Sequence, residues 1–418
     1  MSPTSTPVCV ESVSSRRPRW ELADVFRRYG DAYRQAHCLP LRHLKVMHAV
    51  EVCRTSYLGG HVEQCDACGY QRSACNSCRD RHCPKCQSLA KAQWLAARQT
   101  ELLPVGYFHN VFTLPHELNR LAQCNGKLIY DMLFQAVAKT LQEFAAEPKH
   151  GLGGQLGFLA VLHTWDQKLL DHIHLHCVIA GGALPFDRQR WTHSRENFLF
   201  PTKALSQVFR GKFLDLLQKA FAAGELTFPG RAAPLGTPQG FRDLINQLWK
   251  KPWVVYSKKP FAGPEKVLDY LGRYTHRVAI SNHRIRRVEN QTVTFEYRDR
   301  KDGGKRKQIT LPAEEFIRRF LLHVVPRSFR RIRHFGFLAN RSKQQNLPRC
   351  RELLGVSEAV PEPDELDARE LLLELTGLDI ATCPSCKSGT MVVIRRLPSP
   401  SSNGRRWTTI KPEILDSS

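Results

Sequence analysis

Three histidines alternate along one short stretch of the chain, at His172, His174 and His176, and a continuously apolar run follows them. If this stretch is a strand, alternate side chains point to one face and neighbouring ones stand roughly 6–7 Å apart, so two imidazoles can bind one ion. We predict that His174 and His176 form this pair, because they lie closest to the apolar residues that would anchor the strand. The alternative is a row of exposed histidines on an edge strand.

The preceding strand-like stretch offers a third ligand for such an ion. His163 and Gln167 fall on one face of it and Asp166 lies close by, so the pattern alone leaves the choice among them open. Imidazoles combined with an oxygen ligand and open coordination positions are typical of a catalytic ion that also binds phosphate oxygens. The pattern therefore predicts a Mg²⁺ or Mn²⁺ site.

Two tyrosines, Tyr270 and Tyr274, are four residues apart in a stretch with helical periodicity, which places them on one helix face. A tyrosine hydroxyl can attack a phosphodiester and hold the strand end covalently. Its solution pKa of about 10 means that activation needs a cation or a base. Arg273, Arg277 and a metal ion are candidates for that role, whereas simple packing of an amphipathic helix is the alternative.

Six cysteines fall within 22 residues in three CxxC pairs, and the outer two pairs are Cys65 with Cys68 and Cys83 with Cys86. Two such pairs can complete the tetrahedral site of a structural Zn²⁺, and a segment with few core-forming residues needs that link in order to fold. We predict these four cysteines as the ligands of one zinc. A later pair, Cys383 and Cys386, has no visible partner pair, so zinc binding there stays open. Further candidates near the first cluster are His61, Cys75, Cys78 and His82.

The charge of the chain indicates a polyanionic partner. The net charge is +23 and the isoelectric point is near 9.7. Residues 270–349 contain twenty Lys and Arg against six Asp and Glu. This excess predicts a track for phosphates, with interleaved aromatic rings that stack on unpaired bases. The predicted phosphate contacts are Arg273, Arg277, Arg284, Arg286 and Arg287, and the predicted stacking residues are Tyr297, Phe316, Phe320, Phe329, Phe335 and Phe337.

Export and membrane insertion are not expected. The first 20 residues lack an apolar core of the kind found in signal peptides. The most apolar stretch is only about ten residues long, too short to span a bilayer. We therefore expect a cytoplasmic protein that uses its cysteines as thiols or metal ligands rather than as disulfides.

Helices and strands that must position these residues alternate along the chain, which predicts an α+β fold. We expect helices over 21–52 with a break near Pro40, over 118–146 and over 264–275, and strands over 107–114, 156–165 and 172–180. Four segments follow from the composition: a disordered tail (1–19), a helical and zinc-binding domain (20–105), a catalytic domain (106–350), and an acidic linker with a C-terminal tail that carries the CPxC pair (351–418).

Several motifs occur together and in a fixed order, and in this respect the chain resembles the two-tyrosine HUH rolling-circle transposases of the insertion sequence ninety-one family. The resemblance covers residues 20–350 approximately. The motifs that carry it are the cysteine pairs with Asn76-Ser-Cys78 and Arg81-His-Cys83-Pro-Lys-Cys86, the segment Tyr107–Pro115, His163-Thr-Trp165, His174-Leu-His176, and Tyr270-Leu-Gly-Arg-Tyr274.

The resemblance implies a zinc-binding domain followed by an HUH nuclease domain, whose antiparallel sheet carries the His-hydrophobic-His motif and faces a helix with the nucleophilic tyrosine. His174 and His176 match the metal pair, and Tyr270 and Tyr274 match the nucleophiles. Gln167 is then favoured as the third ligand, because related nucleases often place a Glu or Gln shortly before the histidines.

The implied function is a DNA transposase that nicks and rejoins single-stranded DNA, or DNA at element ends, through a 5′-phosphotyrosine intermediate in rolling-circle transposition. Such a protein is expected to be bacterial and nucleoid-associated. A zinc-dependent DNA-binding regulator without catalysis is the alternative, but it leaves the histidines and tyrosines unexplained. A hydrolase that activates water would need more carboxylates near the histidines.

Overall fold

The computed structural model describes residues 18–261, 278–356 and 379–399, together with residues 267, 272, 370 and 373. The α-helices of this part are α1 (Leu22–Ala36), α2 (Leu41–Glu51), α3 (Gln87–Gln99), α4 (Asn119–Cys124), α5 (Gly126–Ala146), α6 (Thr202–Ala222), α7 (Pro238–Lys250), α8 (Ala313–Leu322) and α9 (Lys343–Leu353). The strands are β1 (Gly60–Cys65), β2 (Gln71–Cys75), β3 (Tyr107–Thr113), β4 (Gly154–Trp165), β5 (Asp171–Pro185), β6 (Thr192–His193), β7 (Val254–Phe261), β8 (Ile285–Glu289), β9 (Thr292–Asp299), β10 (Lys305–Pro312), β11 (Ile332–Gly336) and β12 (Met391–Leu397).

A six-stranded antiparallel sheet organises the middle of the chain, in the order β11-β4-β5-β3-β7 with β6 paired to β5. Its two central strands, β4 and β5, are buried along almost their whole length. Because both sheet faces are covered there, apolar residues occupy both sets of alternating positions. The expected strand pair and the α+β class are confirmed.

The two faces of this sheet differ. On one face, Phe158, Leu175 and Ile179 pack with α5, α6 and α7 in a large hydrophobic core. The opposite face carries a cluster of histidines and is called the histidine face here. His163 and His174 are directly paired across β4 and β5, and His176 lies on the same face two residues further along β5. His109 belongs to this face from β3, where its cross-strand partner is Val178.

A second core joins the N-terminal helices to the sheet β8-β9-β10. Helices α1 and α8 pack their apolar sides against this sheet, as expected for amphipathic helices, and α2 packs on α1 in the same core. Trp165 and Leu169, from the end of β4 and the turn that follows it, enter the same core. This packing fixes the end of β4 that carries His163.

A third, small sheet has the order β12-β1-β2. Strand β12 pairs antiparallel with β1 over the register Gly60–Leu397 to Cys65–Met391. The sheet thus joins the last described strand of the chain to the first. Among the described helices, none is both long and apolar enough to cross a membrane.

Two expectations about secondary structure and packing are wrong. The helix expected over 118–146 is broken at Asn125, whose backbone leaves the helical region and whose side chain bonds to the backbone of Thr227. Four of the aromatic residues predicted to stack on bases are instead buried core residues, because they lie on the inward faces of their elements: Phe316, Phe320, Phe329 and Phe337. The helix expected over 264–275 falls outside the described residues except for positions 267 and 272, both of which are helical.

Candidate functional site

Three buried histidines of the histidine face, His163, His174 and His176, form a group that could hold a metal ion. Their candidate ligand atoms all lie within 4.8 Å of one another. The Nε2 atoms of His174 and His176 are 3.1 Å apart, which suits two ligands that stand about 2.1 Å from one ion at a right angle, roughly 3 Å apart. The donor set therefore fits a divalent cation, with room for ligands on the open side.

Hydrogen bonds orient both rings of the β5 pair. The Nδ1–H of His174 donates to the carbonyl oxygen of His172 over 2.7 Å, which leaves its Nε2 as a lone-pair donor for a metal. His176 has Nδ1 2.9 Å from Nε2 of His109. If His176 binds the metal through Nε2, its Nδ1–H donates to His109, the arrangement usual for metal-binding histidines.

His109 is a site residue that the sequence analysis missed. It is buried, and burial together with the Lys258 ammonium lowers the pKa of His109 to about 3. A neutral His109 ring can accept a hydrogen bond from the Nδ1–H of His176 at its Nε2. The stretch Tyr107–Pro115 was recognised as a motif, but only the pairing of β3 with β5 shows which of its side chains meets the histidines.

The other sequence candidates for the ion lie close to this group. His172 is exposed, and it is not one of the three clustered histidines. The Asp166 carboxylate accepts the backbone N–H groups of Lys168 and Leu170, so it closes the turn between β4 and β5. Gln167 lies in the same turn and lines the cavity in front of the histidines. His163 itself stacks on Trp165, with ring centroids 4.9 Å apart.

A cavity of about 950 Å³ opens onto the histidine face. Its volume is at the upper end of ordinary ligand pockets, which is ample for one nucleotide unit of a strand. The Lys168 ammonium lies 4.7 Å from the centre of the Tyr297 ring, and Tyr256 is 53% exposed. Basic and aromatic residues along its wall are Lys168, Tyr256, Lys258, Tyr297, Arg298 and Lys301.

The predicted nucleophiles Tyr270 and Tyr274 lie outside the described residues, as do Arg273 and Arg277. Two residues of the same stretch are described. Val267 is fully buried in a cluster with Val161 and Val178, which share the sheet face of the histidines. Gly272 lies against α3, where an added Cβ would stand 2.7 Å from Cε of Lys91.

The three described arginines of the predicted phosphate track differ in their contacts. Arg284 donates to the carbonyl oxygens of Glu296, Ala279 and Gln167, and its guanidinium lies over the Phe295 ring. Its donors are therefore engaged within the fold. Arg286 and Arg287 are exposed on β8, where each forms an ion pair with a glutamate.

The first cysteine group combines Cys53, in the turn after α2, with Cys78, Cys83 and Cys86. The Sγ atom of Cys86 is 3.5 Å from those of Cys53 and Cys78, close to the roughly 3.8 Å edge of a tetrahedron with Zn–S bonds of about 2.3 Å. Hydrogen bonds from neighbouring thiols, Cys53 first, lower the pKa of Cys86. Cys53 was missed because it stands alone in the sequence. His82 lies outside the group, and its Nδ1 contacts Asp80.

The second cysteine group combines Cys65 and Cys68 with Cys383 and Cys386. The prediction that one zinc is held by Cys65, Cys68, Cys83 and Cys86 is therefore wrong as a single set, since the two pairs belong to different groups. The fold separates them because β1 pairs with β12, which brings the distant CPxC pair beside Cys65. Four cysteines in one group are the donor set of a structural zinc site.

Comparison with known proteins gives two family matches. The model described as "Transposase zinc-binding domain" matches residues 25–114, and the model described as "Putative transposase" matches residues 157–346. The first range contains the first cysteine group, which supports zinc binding there, and the second contains His163, His174 and His176. Cys383 and Cys386 lie beyond both ranges.

Two relatives extend the comparison over most of the chain. The chain is 50% identical over 394 residues to "Putative transposase y4qJ" of Sinorhizobium fredii, covering 93% of this chain and 98% of the relative. It is 30% identical over 368 residues to "Transposase for insertion sequence element IS801" of Pseudomonas savastanoi pv. phaseolicola, covering 87% and 84% respectively. No solved structure matches.

Proposed function

We propose that this chain, which belongs to the insertion sequence 91 (IS91) family of transposases, cuts and rejoins single-stranded DNA through a covalent phosphotyrosine intermediate. The observation that carries the proposal is the group of three buried histidines at the base of an open cavity with basic and aromatic walls. A regulator that only binds DNA has no need of such a group.

His163, His174 and His176 are the proposed metal ligands, and Gln167 lines the cavity on the open side. A bound Mg²⁺ or Mn²⁺ would polarise the scissile phosphate and stabilise the charge that develops on it. The protein's own contribution is to hold the three rings: a backbone carbonyl orients His174, His109 orients His176, and Trp165 supports His163. Preorganised ligands of this kind keep the site from rearranging during the reaction.

Tyr270 and Tyr274 are the proposed nucleophiles. The oxygen of one phenol forms a bond to phosphorus while the bond from phosphorus to the 3′ oxygen breaks. The proton lost by the phenol is balanced by the one that the 3′ oxygen takes up. The products are a 5′-phosphotyrosine and a free 3′-hydroxyl, and attack by a 3′-hydroxyl on that linkage rejoins the strand. Val267, three residues before Tyr270, supports this assignment because it is buried on the histidine face.

The experiment that tests the proposal uses a labelled single-stranded oligonucleotide that contains an element end, incubated with the full chain and Mn²⁺. A covalent adduct that survives denaturation, and whose peptide carries a phosphotyrosine, is the expected product. DNA binding without any adduct, at every metal concentration tested, would favour the regulator.

His109 should act as a positioning residue for His176. We expect His109→Ala to lower the nicking rate or to raise the Mn²⁺ concentration required, by about 10- to 100-fold, because the ring of His176 loses its hydrogen-bond partner. His109→Gln, which keeps an acceptor near the same place, should recover most of the activity. Nicking rates are measured across a Mn²⁺ titration. Equal loss in both variants, without rescue by Mn²⁺, would mean that His109 serves only packing.

Arg286 and Arg287 should contribute to DNA affinity. We expect the double variant Arg286→Ala/Arg287→Ala to bind single-stranded DNA more weakly and to flatten the plot of log affinity against log salt by about 0.7 for each phosphate that the variant no longer neutralises. Arg242→Ala is the control, since Arg242 is exposed on α7 behind the other sheet face. An unchanged slope in the double variant would exclude both residues from the phosphate track.

A further inference from the structure

We propose that Cys65, Cys68, Cys383 and Cys386 hold a second zinc ion, and that this ion docks the segment 379–399 onto the N-terminal zinc-binding region. Neither family match contains Cys383 or Cys386. The second zinc is a matter of protein architecture, and it does not depend on the proposed DNA chemistry.

The two halves of this site have the same local geometry. In the first, Gly69 donates its N–H to the carbonyl of Cys65 and adopts a φ of 73°. In the second, Lys387 donates to the carbonyl of Cys383 with a φ of 62°. A left-handed residue directly after each CxxC turns the chain back, so both thiols of each pair point to the same place. Each half is therefore a zinc knuckle.

Backbone N–H groups also point at the sulfur atoms. Cys68 N–H donates to Sγ of Cys65, Ser385 N–H donates to Sγ of Cys383, and Gly389 N–H donates to Sγ of Cys386, over 3.3 to 3.4 Å. Donors of this kind stabilise thiolates, the form in which cysteine binds a metal. The local backbone thus favours ligation on both sides of the site.

Distances between the two halves fit a shared ion and not disulfides. The Sγ atoms of Cys65 and Cys386 are 3.6 Å apart, and those of Cys68 and Cys383 are 3.7 Å apart. A disulfide requires about 2.05 Å. The edge of a tetrahedron with four thiolates about 2.3 Å from zinc is roughly 3.8 Å.

The junction between the two halves has almost no apolar core of its own beside the pairing of β1 with β12, so a bound metal would strengthen it. Among the described residues, the buried cluster here consists of Cys65, Cys383 and Met391, with Cys386 packed against it. The backbones approach closely enough that a Cβ on Gly389 would stand 2.4 Å from Sγ of Cys65. Zinc binding would then add to the backbone pairing of β12 with β1 in holding the segment in place.

Zinc content of the purified full chain, measured by elemental mass spectrometry, tests the proposal. We expect two zinc ions per wild-type chain and one in Cys383→Ser/Cys386→Ser. Cys83→Ser/Cys86→Ser, which disrupts the first group, should also retain one. Cys38→Ser/Cys124→Ser is the matched control and should retain two, because neither cysteine belongs to either group. Gly389→Ala keeps all four thiols and should nevertheless lose the second zinc through its clash with Cys65.

One zinc in the wild-type chain, or two in Cys383→Ser/Cys386→Ser, would overturn the proposal, and so would a disulfide found among these four cysteines after alkylation without reduction. If a cysteine variant fails to fold, a wild-type count of one still overturns the proposal, and a count of two is compared with that of His174→Ala, because the histidine group could also hold a zinc ion. Hydrogen exchange supplies a local readout: amides of β12 should be protected in the wild type and in the control, and should exchange at least tenfold faster in Cys383→Ser/Cys386→Ser. Unchanged protection would also count against docking by zinc.

Discussion

Replacement of His174 or His176 by alanine should abolish DNA nicking, with a loss on the order of a thousandfold or more. Each variant removes one of three imidazoles that converge within 4.8 Å. A site left with two ligands binds its ion weakly, and the charge stabilisation that the ion gives to the phosphate is worth several kcal/mol. About 4 kcal/mol corresponds to a thousandfold in rate. Nicking of a labelled oligonucleotide at saturating DNA measures the effect.

His172→Ala is the matched control for these variants. It removes the same side chain from the same strand, but His172 is exposed and lies outside the group. DNA affinity should change little in all three variants, because phosphate contacts are distributed over many Arg and Lys. If His172→Ala proved the most damaging of the three, the metal pair would be His172 and His174. His163→Ala and Gln167→Ala, compared side by side, decide the third ligand.

The double variant Tyr270→Phe/Tyr274→Phe should form no covalent adduct with DNA, whereas each single variant should be impaired in transposition and still form some adduct. Phenylalanine keeps the ring but removes the hydroxyl, so the nucleophile is lost with little change in packing. Trapping on a labelled single-stranded oligonucleotide, followed by peptide mapping, measures the outcome. Complete loss in only one single variant would mean that one tyrosine performs every cleavage.

Tyr256 supplies the control for the tyrosine variants, since it lines the cavity and is 53% exposed. Tyr256→Phe should form the adduct normally, because a base can stack on either ring. Tyr256→Ala should weaken binding of single-stranded DNA by about 1–3 kcal/mol. An adduct that persists in the Tyr270/Tyr274 double variant and maps to Tyr256 would reassign the nucleophile.

Local sequence patterns were sufficient to predict the strands that carry the candidate metal site. Alternation in β5 and the short polar turn before it placed His174 and His176 on one face, and the structure brings His163 opposite His174. The preference for Gln167 came from the family resemblance, and the strand register, which no short pattern contains, is what brings His163 into the group. Strand register also explains why His109 was not predicted, because its neighbour His176 is 67 residues away in the sequence.

Long-range pairings explain why the cysteine prediction was wrong. The spacing suggested that nearby CxxC pairs share an ion. In the structure, however, Cys65 is grouped with cysteines more than 300 residues away in the sequence. The prediction for the aromatic residues was wrong for a different reason. Phe316 and Phe320 are four residues apart on an amphipathic helix, and that spacing indicates a buried face at least as well as a stacking surface.

The order of strands in the small sheet also bears on how the protein is made. Strand β1 leaves the ribosome early, but its partner β12 is synthesised more than 300 residues later, since Cys65 and Cys386 are 321 positions apart. At about 5–20 residues per second, this interval lasts roughly 15–60 seconds. During that time one edge of β1 has no native partner and can pair with other chains. Slow translation of the middle of the chain should therefore promote aggregation. Coexpression of the segment that carries β12 as a separate peptide should suppress it.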